Sequence, residues 1–294
     1  MRKKVLSVLL SASLICTMIP VSGMELKAAA AESTASGVEQ SVKAADDTDK
    51  ITAGGSFGGM QDEETGEISE DTHQWTFAEA SGVLTISGKG DMPSYTQDDY
   101  TKTPWYRLRK QVKKVVFTGD VTKVGDYAFY RDYLALETVD ISGAKGLKAM
   151  GSYAFAGSNT ESAPLKEVIG ISQLTTFGNN VFRYSKLTGE LSLPDVTDIT
   201  SNYIFANTDI TRVSMPKLTT ISGSDLFYQC KELVAVEMPE LVTISGGSTF
   251  NACSALTEIS LPKLTEITGA STFSNASQLA KVSMPELVTI PKSA

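Results

Sequence analysis

One histidine, His73, and three cysteines, Cys16, Cys230 and Cys253, are all that 294 residues offer for nucleophilic or zinc chemistry. Most zinc sites, and most serine or cysteine nucleophiles, draw on histidines that this chain lacks. Cys230 and Cys253 stand 23 residues apart (253 − 230). They could form a disulfide in an exported protein, but equivalent positions hold Ala and Ser, which favours two small buried thiols. Glu237 and Glu258 could be imagined as the acid–base pair of a glycosidase. That chemistry needs an apolar pocket to raise one carboxyl's pKa, and their surroundings predict an open strand surface. Met215, Met238 and Met284 could hold a soft metal, yet Leu193 and Leu261 occupy the same place in the pattern, which makes the column core. No catalytic residue, metal or cofactor is therefore expected.

The charged stretches are read in the same way. WYRLRKQVKK carries Arg107, Arg109, Lys110, Lys113 and Lys114 and could bind an anionic polysaccharide. Leu108 and Val112 are spaced as in an element with one buried side, so a solvated basic face is the expectation. QDEETGEISED lacks the ligand spacing of a calcium loop and is expected to be a solvated acidic segment. His73, beside Trp75, is expected at the surface. A net charge of −8 argues against nucleic acid as a partner, and none is expected.

The amino terminus has the layout of a secretory leader: basic MRKK, apolar VLSVLLSASLICTMIP, then small residues to Ala31. Residues 1–31 are expected to be removed. Pro20 and Gly23 end the apolar run below spanning length, leaving no transmembrane helix in the mature chain. Residues 32–70 are rich in Ala, Ser, Gly and acids and poor in large apolar residues, which predicts a disordered linker.

What positions the remaining residues is a repeat. Pro194, Pro216, Pro239, Pro262 and Pro285 follow one another at steps of 22, 23, 23 and 23 (their successive differences). Three residues before them stand Leu191, Val213, Val236, Ile259 and Val282; five after, Ile199, Ile221, Ile244, Ile267 and Ile290. Phe205, Phe227, Phe250 and Phe273 come next, with Phe129, Phe155 and Phe182 in looser upstream copies. Such periods mean a solenoid, in which each coil is too thin to exclude water until another covers it. Within a coil, Val and Met point one way along a strand and the residues between them the other. Proline ends the strand because it has no N–H for the ladder.

The pattern L-x-x-V-x-(M/L)-P-x-L-x-x-I-x-x-x-x-x-F-x-x-C resembles the BspA-like leucine-rich repeats of bacterial surface proteins. VGDYAF (124–129) and MGSYAF (150–155) are similar to the turn motif of that family, and the stretch from Trp75 resembles the module that precedes such repeats. The resemblance implies a mainly β repeat solenoid of leucine-rich-repeat coils of about 23 residues, with a small N-terminal β-rich capping module. The module is placed at 71–111 and the solenoid at 112–294, C-terminally incomplete because the last coil stops before its Phe.

The resemblance also implies a secreted or cell-surface protein that adheres to an extracellular protein or glycan. Ligand-binding candidates are the outward strand residues Arg212, Ser214, Glu237, Glu258, Ser260 and Lys281. One residue after each proline the charge alternates: Asp195, Lys217, Glu240, Lys263, Glu286. Those residues are expected to pair across rungs and fix register rather than bind ligand. The alternative function is a rigid spacer presenting another domain of a longer surface protein.

Overall fold

The computed structural model describes residues 50–59 and 70–293, and the statements below concern these. The expected leader lies outside the described residues, as does most of the acidic segment. Strand β1 (Ile51–Phe57) pairs antiparallel with β2 (His73–Ala78), which pairs antiparallel with β3 (Val83–Asp91). This corrects two expectations. The stretch expected to be linker contains β1, which needs little apolar surface because it is held by backbone pairing, with only Phe57 buried. His73 is buried, not at the surface: it shares the inward side of β2 with Trp75 and Phe77. Gly88 opposite leaves room for the ring, since a Cβ there would stand 2.6 Å from His73 Cδ2. Burial lowers the His73 pKa, and Thr72 Oγ1 lies 2.7 Å from its Nδ1.

β4 (Lys114–Val124) pairs parallel with β3. A longer strand and a two-residue strand then alternate: β5 (Thr138–Gly143), β6 (Ala149–Met150), β7 (Glu167–Ile169), β8 (Thr176–Phe177), β9 (Thr188–Ser192) and β10 (Asp198–Ile199). The alternation continues through β11 (Asp209–Ser214), β12 (Thr220–Ile221), β13 (Ala235–Glu237), β14 (Thr243–Ile244), β15 (Glu258–Ser260), β16 (Glu266–Ile267) and β17 (Lys281–Ser283). The longer strands pair in parallel as β4-β5-β7, β9-β11-β13 and β15-β17, and the short ones as β10-β12-β14-β16. Equivalent residues of the repeat meet: Leu191 with Val213 and Val213 with Val236; Ile221 with Ile244 and Ile244 with Ile267. The architecture is a mainly β repeat fold with parallel sheets.

A third ladder runs past the phenylalanines. Tyr203 and Asn207 flank Phe205 in the left-handed region, as Asp225 and Gln229 flank Phe227 and Ser248 and Ala252 flank Phe250. The N–H groups of Tyr203, Phe205 and Asn207 donate to the carbonyls of Ser224, Leu226 and Tyr228 at 3.0, 3.1 and 2.8 Å. Every such N–H points toward the next coil, so the first coil's carbonyls face the chain's beginning and need other donors. The Tyr95 N–H donates to Asp126 O at 2.9 Å, and Trp105 Nε1–H to Ala128 O at 3.2 Å.

The core is continuous and its centre is a phenylalanine file. From Phe129 to Phe155 the rings are 5.1 Å apart and 2° from parallel; from Phe250 to Phe273, 5.6 Å and 7°. Coils come closest at a glycine column: a Cβ on Gly246 would stand 2.0 Å from Gly223 O, and one on Gly269 2.1 Å from Gly246 O. The register of the longer strands breaks once upstream, between β7 and β9, which follow each other but do not pair. There the chain inserts the 3-10 turn Ile171–Gln173 after Gly170, whose φ is 86°. Gln173 Nε2 anchors that turn on the carbonyls of Ile141, Ala144 and Leu147 at 3.2, 2.9 and 3.1 Å.

Candidate functional site

The six predicted site residues stand on the longer strands, and five of them face solvent between inward-pointing apolar residues. Lys281 lies on β17, which is exposed throughout, Val282 included. In β11, Val213 is buried between Arg212 and Ser214. Ser214 pairs in register with Glu237 of β13, and its hydroxyl donates to Glu237 Oε2 at 2.9 Å. Glu258 and Ser260 flank buried Ile259 in β15. Lys281 of β17 sits beside Glu258, Nζ to Oε2 at 2.8 Å. The structure thus forms two groups, Arg212–Ser214–Glu237 and Glu258–Ser260–Lys281, on two separately paired strand sets.

Charge on this face is already organised. The hydrogen bond from Lys281 holds Glu258 below the ordinary carboxylate range, and Glu258 in turn raises the Lys281 pKa. A glycosidase acid needs the opposite shift. Glu258 is shifted the other way by Lys281. The column after the prolines pairs as its alternation predicts, with Lys217 to Asp195 at 2.7 Å and Lys263 to Glu240 at 2.5 Å. Each lysine chooses the carboxylate of the preceding rung.

The other chemistry-bearing residues are structural. Cys230 and Cys253 are free and buried; their thiols donate to Phe205 O at 3.0 Å and Phe227 O at 3.2 Å. Burial pushes the Cys230 pKa up to about 11, and it raises that of Cys253 as well. Met215 and Met238 lie in the core with Leu193 and Leu261. In the basic run Leu108 and Val112 are buried, while the Arg109 guanidinium lies 4.3 Å from the centre of the Tyr106 ring. Among the described residues no group of three or more His, Cys, Asp and Glu could hold a metal ion. Among the same residues no helix is long and apolar enough to cross a membrane.

Sequence reasoning missed a cleft of about 280 Å³ where β7 and β9 part. Its floor is Val168, Ile171, Leu187, Leu191 and Ile210, and its polar residues are Glu167, Thr188 and Glu190. Two local signals precede it. The step from Leu187 to Leu191 is one residue longer than that from Ile210 to Val213, and Gly189, at φ 81°, puts no side chain beside Ile210.

Residues 106–211 and 175–294 match a family model described as the BspA type leucine rich repeat region, in six copies. Among solved structures, a leucine-rich repeat protein from Eubacterium ventriosum is 18% identical, covering 73% of this chain and 83% of that one, with a TM-score of 0.44. The T. pallidum leucine rich repeat protein is also 18% identical, covering 70% and 87%, with a TM-score of 0.38. A leucine-rich repeat protein from Bacteroides ovatus is 14% identical, covering 76% and 90%, with a TM-score of 0.32. No curated protein matches the sequence.

Proposed function

This chain belongs to the family of proteins with BspA type leucine rich repeats, and from that premise we propose that it is an exported, non-enzymatic protein of the bacterial surface. It recognises an extracellular protein or glycan through its strand face. In this reading residues 1–31 are the export leader, the segment around β1–β3 caps a solenoid of coils of about 23 residues, and the coils carry the recognition surface.

The observation that supports it is the register of the strand face. Arg212, Ser214, Glu237, Glu258 and Ser260 stand on solvent-side positions of parallel strands whose other side packs on the core, and Lys281 of exposed β17 pairs in register beside Glu258. Such a surface gives a ligand many polar contacts at fixed spacing with little ordering cost, and its charge pattern selects the partner. The bonds Ser214–Glu237 and Glu258–Lys281 hold those side chains in place before a ligand arrives.

The test is binding of the protein to immobilised extracellular matrix proteins and to a glycan panel, with Arg212→Glu, Glu237→Lys and Glu258→Lys as variants. Binding that falls at least tenfold on charge reversal is the expected result. Affinity indifferent to all three moves the ligand off this face. Absence of any ligand favours the spacer role.

A further inference from the structure

The cleft between β7 and β9 has the build of a receptor for one long cationic side chain. It is a gap in the sheet, not a fold in a loop: β7 pairs only with β5, β9 only with β11, and between them lies an apolar floor. At about 280 Å³ it falls just below the roughly 300–1,000 Å³ of sites for whole small molecules. One side chain is the better match in size.

Charge decides what kind. Glu167 and Glu190 stand on the cleft's lining, both exposed, and neither has an ion-pair partner among the described residues. The lysines nearest in sequence are committed elsewhere, Lys166 to Glu137 at 2.9 Å and Lys186 to Asp209 at 3.4 Å. Arg212 lies beside Glu190 in strand register without reaching ion-pair distance. Two uncommitted carboxylates around five apolar residues suit a side chain with an aliphatic stem and a cationic head. An aliphatic residue would leave the carboxylates unused, and an acidic one would be repelled.

We propose that this cleft takes a lysine or arginine side chain of the extracellular protein partner, its stem on Ile171, Leu187 and Leu191 and its head between Glu167 and Glu190. The edge of β9 that faces β7 has no strand partner over Gly189–Ser192, so it also offers backbone groups to the segment carrying that side chain. The proposal rests on the recognition reading above and narrows it to a protein ligand with a basic anchor.

The experiment is methyl NMR of the protein titrated with N-acetyl-lysine amide and N-acetyl-arginine amide. N-acetyl-norleucine amide and N-acetyl-glutamate amide serve as controls. The cationic probes are expected to move the methyl signals of Val168, Ile171, Leu187, Leu191 and Ile210 at millimolar concentration. Glu167→Gln with Glu190→Gln should weaken that binding about five- to tenfold and leave the other methyl signals in place. Glu237→Gln should change nothing at the cleft. Equal binding of norleucine, no shift at the floor residues, or indifference to the double substitution each overturns the proposal. The two readings fail separately. Matrix binding unaffected by the double variant removes the cleft and keeps recognition; cleft binding of lysine amide without any matrix ligand does the reverse.

Discussion

The rings of Phe227 and Phe250 lie 5.7 Å apart and 12° from parallel, each supplied by a different coil. Neither coil contains the other face of its own core, so the ring of one is the floor of the next. Both are fully buried, and Phe205 and Phe273 extend the file on either side. Phe250→Ala is expected to cost about 3–5 kcal/mol, because stacked rings leave little freedom to collapse into the void. Chemical denaturation followed by near-UV circular dichroism reads it, with Phe250→Leu costing clearly less. An equal cost for both variants would mean that the void contributes nothing and the whole loss lies in the stacked ring.

Much of this was legible beforehand, for a physical reason. Leu191, Val213 and Val236, and likewise Ile199, Ile221, Ile244 and Ile267, recur because parallel in-register pairing sets each over its equivalent. A repeating sequence therefore states its own register. The alternation Asp195, Lys217, Glu240, Lys263 gave the ion pairs by the same logic. Non-repeating features were opaque. β1 is held by backbone pairing, which composition does not reveal; His73 depends on a glycine fifteen positions away (88 − 73); and the cleft arises where the repeat fails.

The glycine column sets how closely coils approach. Gly246 packs its α-carbon against the backbone of the preceding coil, where a methyl group would fall 2.0 Å from Gly223 O and 2.5 Å from its carbon. Backbone cannot rotate away as a side chain can. Gly246→Ala should therefore cost about 2–3 kcal/mol, more than the usual surface substitution. Thermal unfolding checks it, with the exposed Ser245→Ala on the same turn as the near-neutral comparison.

The left-handed residues of the third ladder predict the reverse sign for a change to glycine. Ala252 has φ 60° and no side-chain hydrogen bond to lose. That backbone costs an alanine about 1–2 kcal/mol, and glycine gives back part of the gain through its freer unfolded chain. Ala252→Gly is expected to stabilise the protein by about 0.5–1 kcal/mol. A lowered melting temperature would show that the neighbouring coils, not the local backbone, set the energy at this position.

Asp140 gives stability a pH dependence. It is buried and accepts bonds from Lys114 Nζ at 2.9 Å, Ser142 Oγ at 2.7 Å and Ser142 N at 3.1 Å. Burial alone would raise its pKa; the bonds from Ser142 and Lys114 outweigh burial and hold it below the ordinary value. A carboxyl whose folded pKa is depressed stabilises above its unfolded pKa and loses that contribution as pH falls through the folded one. Asp140→Asn should cost about 1–2 kcal/mol at neutral pH. The difference from the parent should shrink once pH drops below the ordinary carboxylate range. A difference constant down to strongly acidic pH would place the effect in packing rather than charge.

Cys230 and Cys253 test how firmly the coils stay closed. Thiolate is the reactive form of cysteine, and burial has raised both pKa values, that of Cys230 to about 11. Their thiols also donate to the Phe205 and Phe227 carbonyls, so a disulfide between them would strip a donor from each neighbouring rung. Modification by a thiol reagent should therefore track opening of the stack rather than reagent strength. In native buffer both cysteines are expected to resist labelling, and both to label at once in denaturant. Mass spectrometry under non-reducing conditions should show free thiols. A 230–253 disulfide in protein purified from an oxidising compartment, or rapid labelling of one cysteine in the native state, would mean that this end of the core opens independently of the rest.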